Sequence, residues 1–191
     1  MKDNVIVSNG EPRSDLIRVV VGAAGRYDSG WMPTSIKDLN ILLRDDWERH
    51  FRADSIDAIL AEHVLEHLTP DDASIALSNC YKFLKPGGYL RLAVPDGFHP
   101  DACYIEYVKV NGSGPGSDDH KVLYTYKTLQ ELLERAGFMV KFLEFFDENG
   151  KFHFFEWSTA EGTIHRSKNL DPRNKSGLLA YTSIIVDAYR R

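Results

Sequence analysis

The stretch that decides the fold spans residues 55–67 and reads Ser-Ile-Asp-Ala-Ile-Leu-Ala-Glu-His-Val-Leu-Glu-His. Its first seven residues are rich in apolar side chains and predict a central strand that ends just before Glu62. Residues 16–21 form a second short apolar run, which ends at Gly22 and predicts a buried strand followed by a turn. Residues 89–94 predict a further strand.

Two helices lie between the later strands. The segment Thr69-Pro-Asp-Asp72 begins the first of them, with a capping side chain, a proline at the first position and acids in the first turn. Its apolar residues recur at helical spacing as far as a turn at residues 85–88. Residues 125–136 predict the second helix, which Gly137 ends. A shorter helical piece is expected around residues 45–51, whereas residues 22–30 leave no room for a full helix.

Strands that alternate with helices predict an α/β sheet that is largely parallel in its first half. Residues 139–146, 152–157 and 179–189 follow without helices between them and predict antiparallel strands, the first two joined by a hairpin turn at 147–150. Residues 96–119 are rich in Gly, Pro and Asp and predict a long loop, which in a compact domain is usually functional or mobile.

Composition narrows the classes of function. The 191 residues are 43% hydrophobic and 27% charged, as in an ordinary single globular domain. The net charge of −5 gives no overall attraction to nucleic acid, so we expect no nucleic-acid partner. Two cysteines indicate no disulfide framework and favour a reducing, cytoplasmic setting. No apolar run is long enough to cross a bilayer, and residues 1–15 lack the apolar region of a signal peptide.

Five motifs occur in the order typical of class I S-adenosylmethionine-dependent methyltransferases. They are Gly22-Ala-Ala-Gly25, Gly30-Trp31, Glu62-His-Val-Leu-Glu-His67, Leu84-Lys-Pro-Gly-Gly-Tyr-Leu90 and Leu132-Leu-Glu-Arg-Ala-Gly-Phe138. Over residues 16–146 the chain resembles these enzymes, and most closely the small predicted methyltransferases of the methyltransferase type 11-like group. The resemblance implies one domain over residues 1–191 with a doubly wound, mostly parallel, seven-stranded sheet, a Rossmann-like methyltransferase fold. We expect its C-terminal strand to be antiparallel and its first crossover helix to be shortened or missing.

The resemblance also implies S-adenosylmethionine as the cofactor. In an open α/β sheet, ligands bind outside the carboxyl ends of the strands, where the glycine loop and the Glu62 motif both begin. The residues expected to bind the cofactor are Gly22, Ala23, Ala24, Gly25, Ser35, Asn40, Glu62, His63 and Val64. Two of them depart from the family pattern. Ala24 stands where a glycine is common, and Ser35 aligns with the acid that binds the ribose hydroxyls, a role that Asp38 or Asn40 could partly take over.

The expected reaction is methyl transfer to a small-molecule acceptor of unknown nucleophile. His120 is the candidate general base, because histidine titrates near neutral pH, with Asp96 or Tyr124 assisting. The alternative for His120 is an exposed loop position or a helix cap. His67, Arg166 and Arg173 are expected to contact the substrate, the arginines through an anionic group. For His67 a capping or packing role is an equal alternative, and for the arginine segment the alternative is a solvated connection.

Two other classes of function remain as alternatives. A non-catalytic or non-methylating protein on the same fold is suggested by Ala24 and Ser35. A zinc-dependent hydrolase is suggested because His63-Val-Leu-Glu-His67 matches the His-x-x-Glu-His pattern of inverted zinc proteases. A third ligand would come from Glu134, Glu144 or His120. The motif directly follows a strand and leaves barely a turn and a half of helix before Thr69, so we expect no metal. A homodimer is possible.

Overall fold

The computed structural model describes residues 16–191 except Ala24, Arg26 and Ser176, and these residues form one seven-stranded sheet with helices against it. The strands are β1 (Arg18–Val21), β2 (Met32–Pro33), β3 (Ile56–Glu62), β4 (Leu84–Pro95), β5 (Met139–Phe146), β6 (Phe152–Phe154) and β7 (Ser183–Tyr189). The helices are α1 (Arg44–His50), α2 (Pro70–Phe83), α3 (Ala102–Val108) and α4 (Tyr126–Arg135).

The strand order is β2-β1-β3-β4-β7-β5-β6. The first four strands pair in parallel, while β7 is antiparallel to both β4 and β5, and β6 returns from β5 as a hairpin. The predicted α/β class, its seven strands and its antiparallel C-terminal strand are therefore confirmed. The described residues between β1 and β2 contain turns and no helix, in agreement with the expected loss of the first crossover helix.

The helices α1, α2 and α4 cover one face of the sheet. Trp47 of α1, Phe83 of α2 and Leu133 of α4 are fully buried and belong to the same core cluster as alternate residues of the strands. Because successive strand residues point to opposite faces, the intervening residues form a second cluster. Ile164 from the irregular segment before β7 packs into that cluster, so this segment covers part of the other face.

A buried ion pair on the second face also holds residues 158–162 of the irregular segment against the sheet. Arg91 of β4 is fully buried and donates from Nε and Nη2 to the two carboxylate oxygens of Asp187 in β7, at 2.7 and 2.8 Å. Its Nη1 donates to the carbonyl oxygens of Ser158 and Gly162, at 2.8 and 2.9 Å. This paired geometry satisfies a guanidinium that would otherwise be costly to bury.

The two main helices begin where the sequence predicts. Thr69 caps α2 by accepting a hydrogen bond from the backbone N–H of Asp72. Thr125 and Thr128 form a reciprocal capping box at the start of α4. Such caps satisfy backbone donors that have no partner within the helix. Across the described residues, every helix is too short or too polar to span a bilayer.

Two predictions about connecting segments are wrong. Residues 96–119 are not one long loop, because α3 lies within them, with Asp101 as its cap and Tyr104 and Val108 buried. The turn expected at residues 85–88 lies inside β4, where the pairing register with β3 shifts between Ile56 and Ala58. Both errors have the same cause: Gly, Pro and Asp indicate a turn locally, and tertiary packing decides whether helix or strand forms around it.

Candidate active site

The site is built around Gly22, the first residue after β1. Gly22 has a φ of +65°, and a Cβ at this position would lie 2.8 Å from Cγ2 of Val64. The left-handed backbone and the contact with Val64 each make a side chain at this position unfavourable. The backbone of Gly22 is thereby packed against the segment that follows β3, at the edge where the parallel strands end.

Three cavities share Gly22 as a lining residue. The loop cavity, about 230 Å³, lies between β1, β3 and residues 163–166, and its lining includes Ala23, Asp28 and Glu62. The apolar cavity, about 290 Å³, is lined mainly by residues 36–42 and 63–68. The central cavity, about 150 Å³, includes Glu66 and His120. Cavities that adjoin at the carboxyl ends of parallel strands are typical of ligand sites in α/β folds.

Several of the expected cofactor residues line these cavities. Asn40, His63 and Val64 line the apolar cavity, and Ala23 and Glu62 line the loop cavity. Asn40 accepts a hydrogen bond from the backbone N–H of Leu42 through Oδ1, and its Nδ2 makes no hydrogen bond within the described residues. The amide group is therefore oriented by the chain and keeps a donor for a ligand.

Two other expected cofactor residues, Gly25 and Ser35, do not line these cavities. Gly25 has a φ of +81° and open space where a Cβ would be, and Ala24 lies outside the described residues. Ser35 donates from its hydroxyl and its backbone N–H to Oδ2 of Asp38, at 2.7 and 2.9 Å. These hydrogen bonds lower the pKa of Asp38, which is the carboxylate that this turn presents to solvent.

The end of β3 is tied to the segment before β7. The carboxylate of Glu62 accepts hydrogen bonds from the backbone N–H groups of His165 and Arg166, at 3.1 and 2.7 Å. Nη1 of Arg166 lies 3.6 Å from the same carboxylate. Glu62 therefore positions the chain segment that closes the site, in addition to lining the loop and central cavities.

His63 follows directly in an unusual backbone conformation, with a φ of +56°. Its Nε2 lies 2.9 Å from the Ser183 hydroxyl and its Nδ1 lies 3.0 Å from Oε1 of Glu66, so both ring nitrogens face protein groups. Residues Leu65–His67 form a single 3-10 turn. His63 and His67 therefore do not lie on one helix, and the helical ligand pair expected by the zinc hydrolase alternative is wrong.

The central cavity contains Glu66, His67 and His120. The rings of the two histidines lie 4.9 Å apart, edge to face. His120 is 7% exposed, and its Nδ1 lies 2.7 Å from the carbonyl oxygen of Val108. Glu66 is fully buried; burial raises its pKa, whereas His63, a backbone hydrogen bond and His67 together lower it, and the net shift is downward. The sequence placed Glu66 in a family motif and in the zinc pattern, but Glu66 was not among the predicted site residues.

Two predicted catalytic residues lie away from the central cavity. Asp96 is fully buried, and its two oxygens accept hydrogen bonds from the backbone N–H groups of Phe98 and Phe146, at 3.0 and 2.7 Å. Burial raises its pKa to about 6. Tyr124 is buried as well and lines a separate cavity beside α4. The geometry gives Asp96 a structural role, because its carboxylate joins the end of β4 to β5, and it gives Tyr124 no contact with the cavities around Gly22.

A basic cavity of about 420 Å³ adjoins the central one through Arg166, Tyr107 and Tyr181. Arg173 lies over the ring of Tyr181, with its guanidinium carbon 3.4 Å from the ring centroid, and it pairs with both oxygens of Asp171. Tyr107 and Tyr181 were not predicted as site residues. Tyr107 comes from α3, whose sequence indicated a loop, and Tyr181 precedes β7 in a segment that was expected to be a strand.

Comparisons with known proteins agree with this architecture. Residues 33–92, about a third of the chain, match a family model described as a methyltransferase domain. An S-adenosylmethionine-dependent methyltransferase from Archaeoglobus fulgidus is 17% identical over 93% of this chain and 87% of its own, with a TM-score of 0.55. One from Mesorhizobium loti is 16% identical over 94% of both chains, with a TM-score of 0.53. A third, from Methanosarcina mazei, is 12% identical over 94% of both chains, with a TM-score of 0.51.

A search of curated proteins gives no match. At identities this low, the structural likeness establishes the fold, and the family match adds the segment from β2 to β4. The expected Rossmann-like methyltransferase fold and the resemblance to class I enzymes are both confirmed.

Proposed function

We propose that this chain, whose fold is that of the class I S-adenosylmethionine-dependent methyltransferases, transfers a methyl group from S-adenosylmethionine to a small molecule. The observation that carries the proposal is the position of Gly22. Its backbone is common to three cavities at the ends of β1 and β3, and a Cβ there would collide with Val64. Cofactor and acceptor can therefore approach each other across a residue with no side chain.

The apolar cavity suits the adenosyl group. Ile36 and Leu39 supply apolar contacts, and Nδ2 of Asn40 can donate a hydrogen bond to a purine nitrogen. Asp38 lies in the chain between Ile36 and Leu39, which both line this cavity. We assign its carboxylate to the ribose hydroxyls in place of Ser35. When bound, S-adenosylmethionine supplies a methyl group already activated by its sulfonium, so the main tasks of the chain are positioning and exclusion of water.

The acceptor belongs in the central and basic cavities. Arg166 lines both of them, and Arg166 with Arg173 would hold a carboxylate or phosphate group of the acceptor. The Val108 carbonyl oxygen fixes a proton on Nδ1 of His120, so the lone pair of this histidine is on Nε2. Nε2 of His120 is the base that takes a proton from the acceptor, and His67 is its neighbour.

Calorimetric titration with S-adenosylmethionine and S-adenosylhomocysteine tests the cofactor assignment. The variant Ile36→Asp removes an apolar side chain that is 75% exposed and lines the apolar cavity. Burial of such a side chain contributes about 1.5–3 kcal/mol, so binding should weaken roughly 10- to 100-fold.

The matched control is Ile75→Asp. Ile75 is 48% exposed on α2 and lines none of the cavities around Gly22, so its replacement should leave binding unchanged. Equal weakening of binding in both variants would show that the adenosyl group does not bind in the apolar cavity. Absence of binding by the unmodified chain to either compound would refute the proposed function itself.

A further inference from the structure

Three potential metal ligands converge in the central cavity. Glu66, His67 and His120 each offer one ligand atom, and these atoms all lie within 4.8 Å of one another. They come from two separate parts of the chain, the 3-10 turn after β3 and the segment after α3. The convergence is thus a product of the fold and was not visible as a local motif.

The carboxylate of Glu66 is the second sign of a ligand. The residue is fully buried, and neither oxygen accepts a well-formed hydrogen bond from the described residues. Nδ1 of His63 lies 3.0 Å from Oε1, and Oε2 has no such neighbour among the described residues. The lost hydration of this buried carboxylate is therefore replaced on the side of Oε1 only, and an oxygen left without a partner is costly to bury. A cation in the central cavity would supply the missing partner.

The surroundings of the two histidines orient them as ligands. Nδ1 of His120 faces the carbonyl oxygen of Val108 at 2.7 Å, and Nδ1 of His67 faces a carboxylate oxygen of Asp119 at 3.4 Å. In metal sites, a ligating histidine usually donates its other ring N–H to a carbonyl or carboxylate, which fixes the tautomer. In both residues this arrangement leaves Nε2 as the nitrogen available to an ion.

We propose that Glu66, His67 and His120 bind one divalent transition-metal ion, with zinc as the reference ion. Two nitrogens and one carboxylate oxygen suit zinc, and three protein ligands leave a fourth position open. Ligand atoms of a tetrahedral zinc site lie about 3.4 Å apart, given bonds of about 2.0–2.1 Å. The cluster must therefore contract on binding, and His67, whose side chain is one-third exposed, is the member with room to move.

The three ligands line the central cavity, which is the cavity assigned to the acceptor, so an acceptor bound there would have access to the open position. With the ion bound, His120 is a ligand and no longer the base, and the ion lowers the pKa of an acceptor hydroxyl in its place. This consequence rests on the proposed function, whereas the metal site itself does not. The substrate class that fits is a hydroxylated small molecule with an anionic group that reaches Arg166.

The test is calorimetric titration of the metal-free chain with zinc chloride, without cofactor or acceptor. We expect one ion per chain. His67→Ala and His120→Ala should each weaken binding by more than the 10- to 100-fold that outer partners typically contribute, and Asp119→Asn by about 10-fold. The control is His165→Ala, because His165 lines two neighbouring cavities without belonging to the ligand set.

Cobalt substitution gives an independent readout. A cobalt ion held by two histidines and a carboxylate should give visible absorption typical of low coordination number, and His67→Ala should abolish it while far-ultraviolet circular dichroism stays unchanged. Absence of stoichiometric binding, or binding that both His67→Ala and His120→Ala retain, would overturn the proposal. Because cofactor titration is carried out without metal, a failed metal site and a failed methyltransferase assignment are separate outcomes.

Discussion

Replacement of Gly22 by alanine should be more costly than the same change at another left-handed glycine. The left-handed backbone costs a residue with a Cβ about 1–2 kcal/mol. Gly87, in the β4 bulge, has a φ of +81° and open space for a Cβ, so Gly87→Ala isolates this contribution. At Gly22 the new Cβ would also meet Cγ2 of Val64 at 2.8 Å, and Val64 is stiff about χ1. Overpacking of this kind costs a further 1–3 kcal/mol or so.

The assay is urea unfolding of four chains: Gly22→Ala, Val64→Ala, the double variant and Gly87→Ala. In the Val64→Ala background, Gly22→Ala should lose the overlap and retain only the backbone cost, so the coupling free energy should be about 1–3 kcal/mol. The reasoning is refuted if Gly22→Ala is no more destabilising than Gly87→Ala, or if its cost is the same with and without the Val64 side chain. Cofactor titration of Gly87→Ala should match that of the unmodified chain.

Three further predictions concern buried polar groups. Removal of one partner of the Arg91–Asp187 pair, as in Arg91→Met, should cost about 3–5 kcal/mol in urea unfolding, whereas the double change Arg91→Met/Asp187→Leu should cost less, since no charge remains buried alone. The pKa of Asp96 is raised from 3.8 to about 6, so its contribution to stability is full below pH 3.8 and is lost as pH rises through about 6. Relative to Asp96→Asn, the free energy of unfolding of the unmodified chain should therefore fall by about 3 kcal/mol over this pH interval. Parallel curves of stability against pH for the two chains would contradict the raised pKa of Asp96. The hydroxyl of Tyr124 is buried with no partner in the described residues, so Tyr124→Phe should leave stability unchanged or raise it by about 1 kcal/mol. A large loss of stability would contradict this, and a large loss of cofactor-dependent turnover would show that Tyr124 acts in the site.

The parts of the fold that the sequence predicts well are those with strong local signals. The apolar run before Glu62 becomes β3, and Thr69 and Thr125 begin α2 and α4. In these segments, capping chemistry and apolar spacing agree with the tertiary structure. Gly22 belongs to the same group, because a turn after a buried strand requires a residue that tolerates a positive φ.

The parts that failed depend on contacts distant in sequence. The helix α3 is stabilised by burial of Tyr104 and Val108, and its own composition is not strongly helical. Asp96 follows a strand, as a catalytic acid would, yet it binds the backbone of Phe146 fifty residues later. The cluster of Glu66, His67 and His120 also joins distant segments, so spacing alone indicated a helical pair of His63 and His67 and could not indicate this cluster.

The position of β7 has a consequence for biosynthesis. It is the last strand along the described chain, yet it lies between β4 and β5, which both pair with β7 and do not pair with each other. A nascent chain that has not yet emerged as far as residue 189 must hold two separate half-sheets with open edges. Such edges are prone to wrong pairing, so ribosome-bound intermediates of this chain should depend on chaperones until the final strand is inserted.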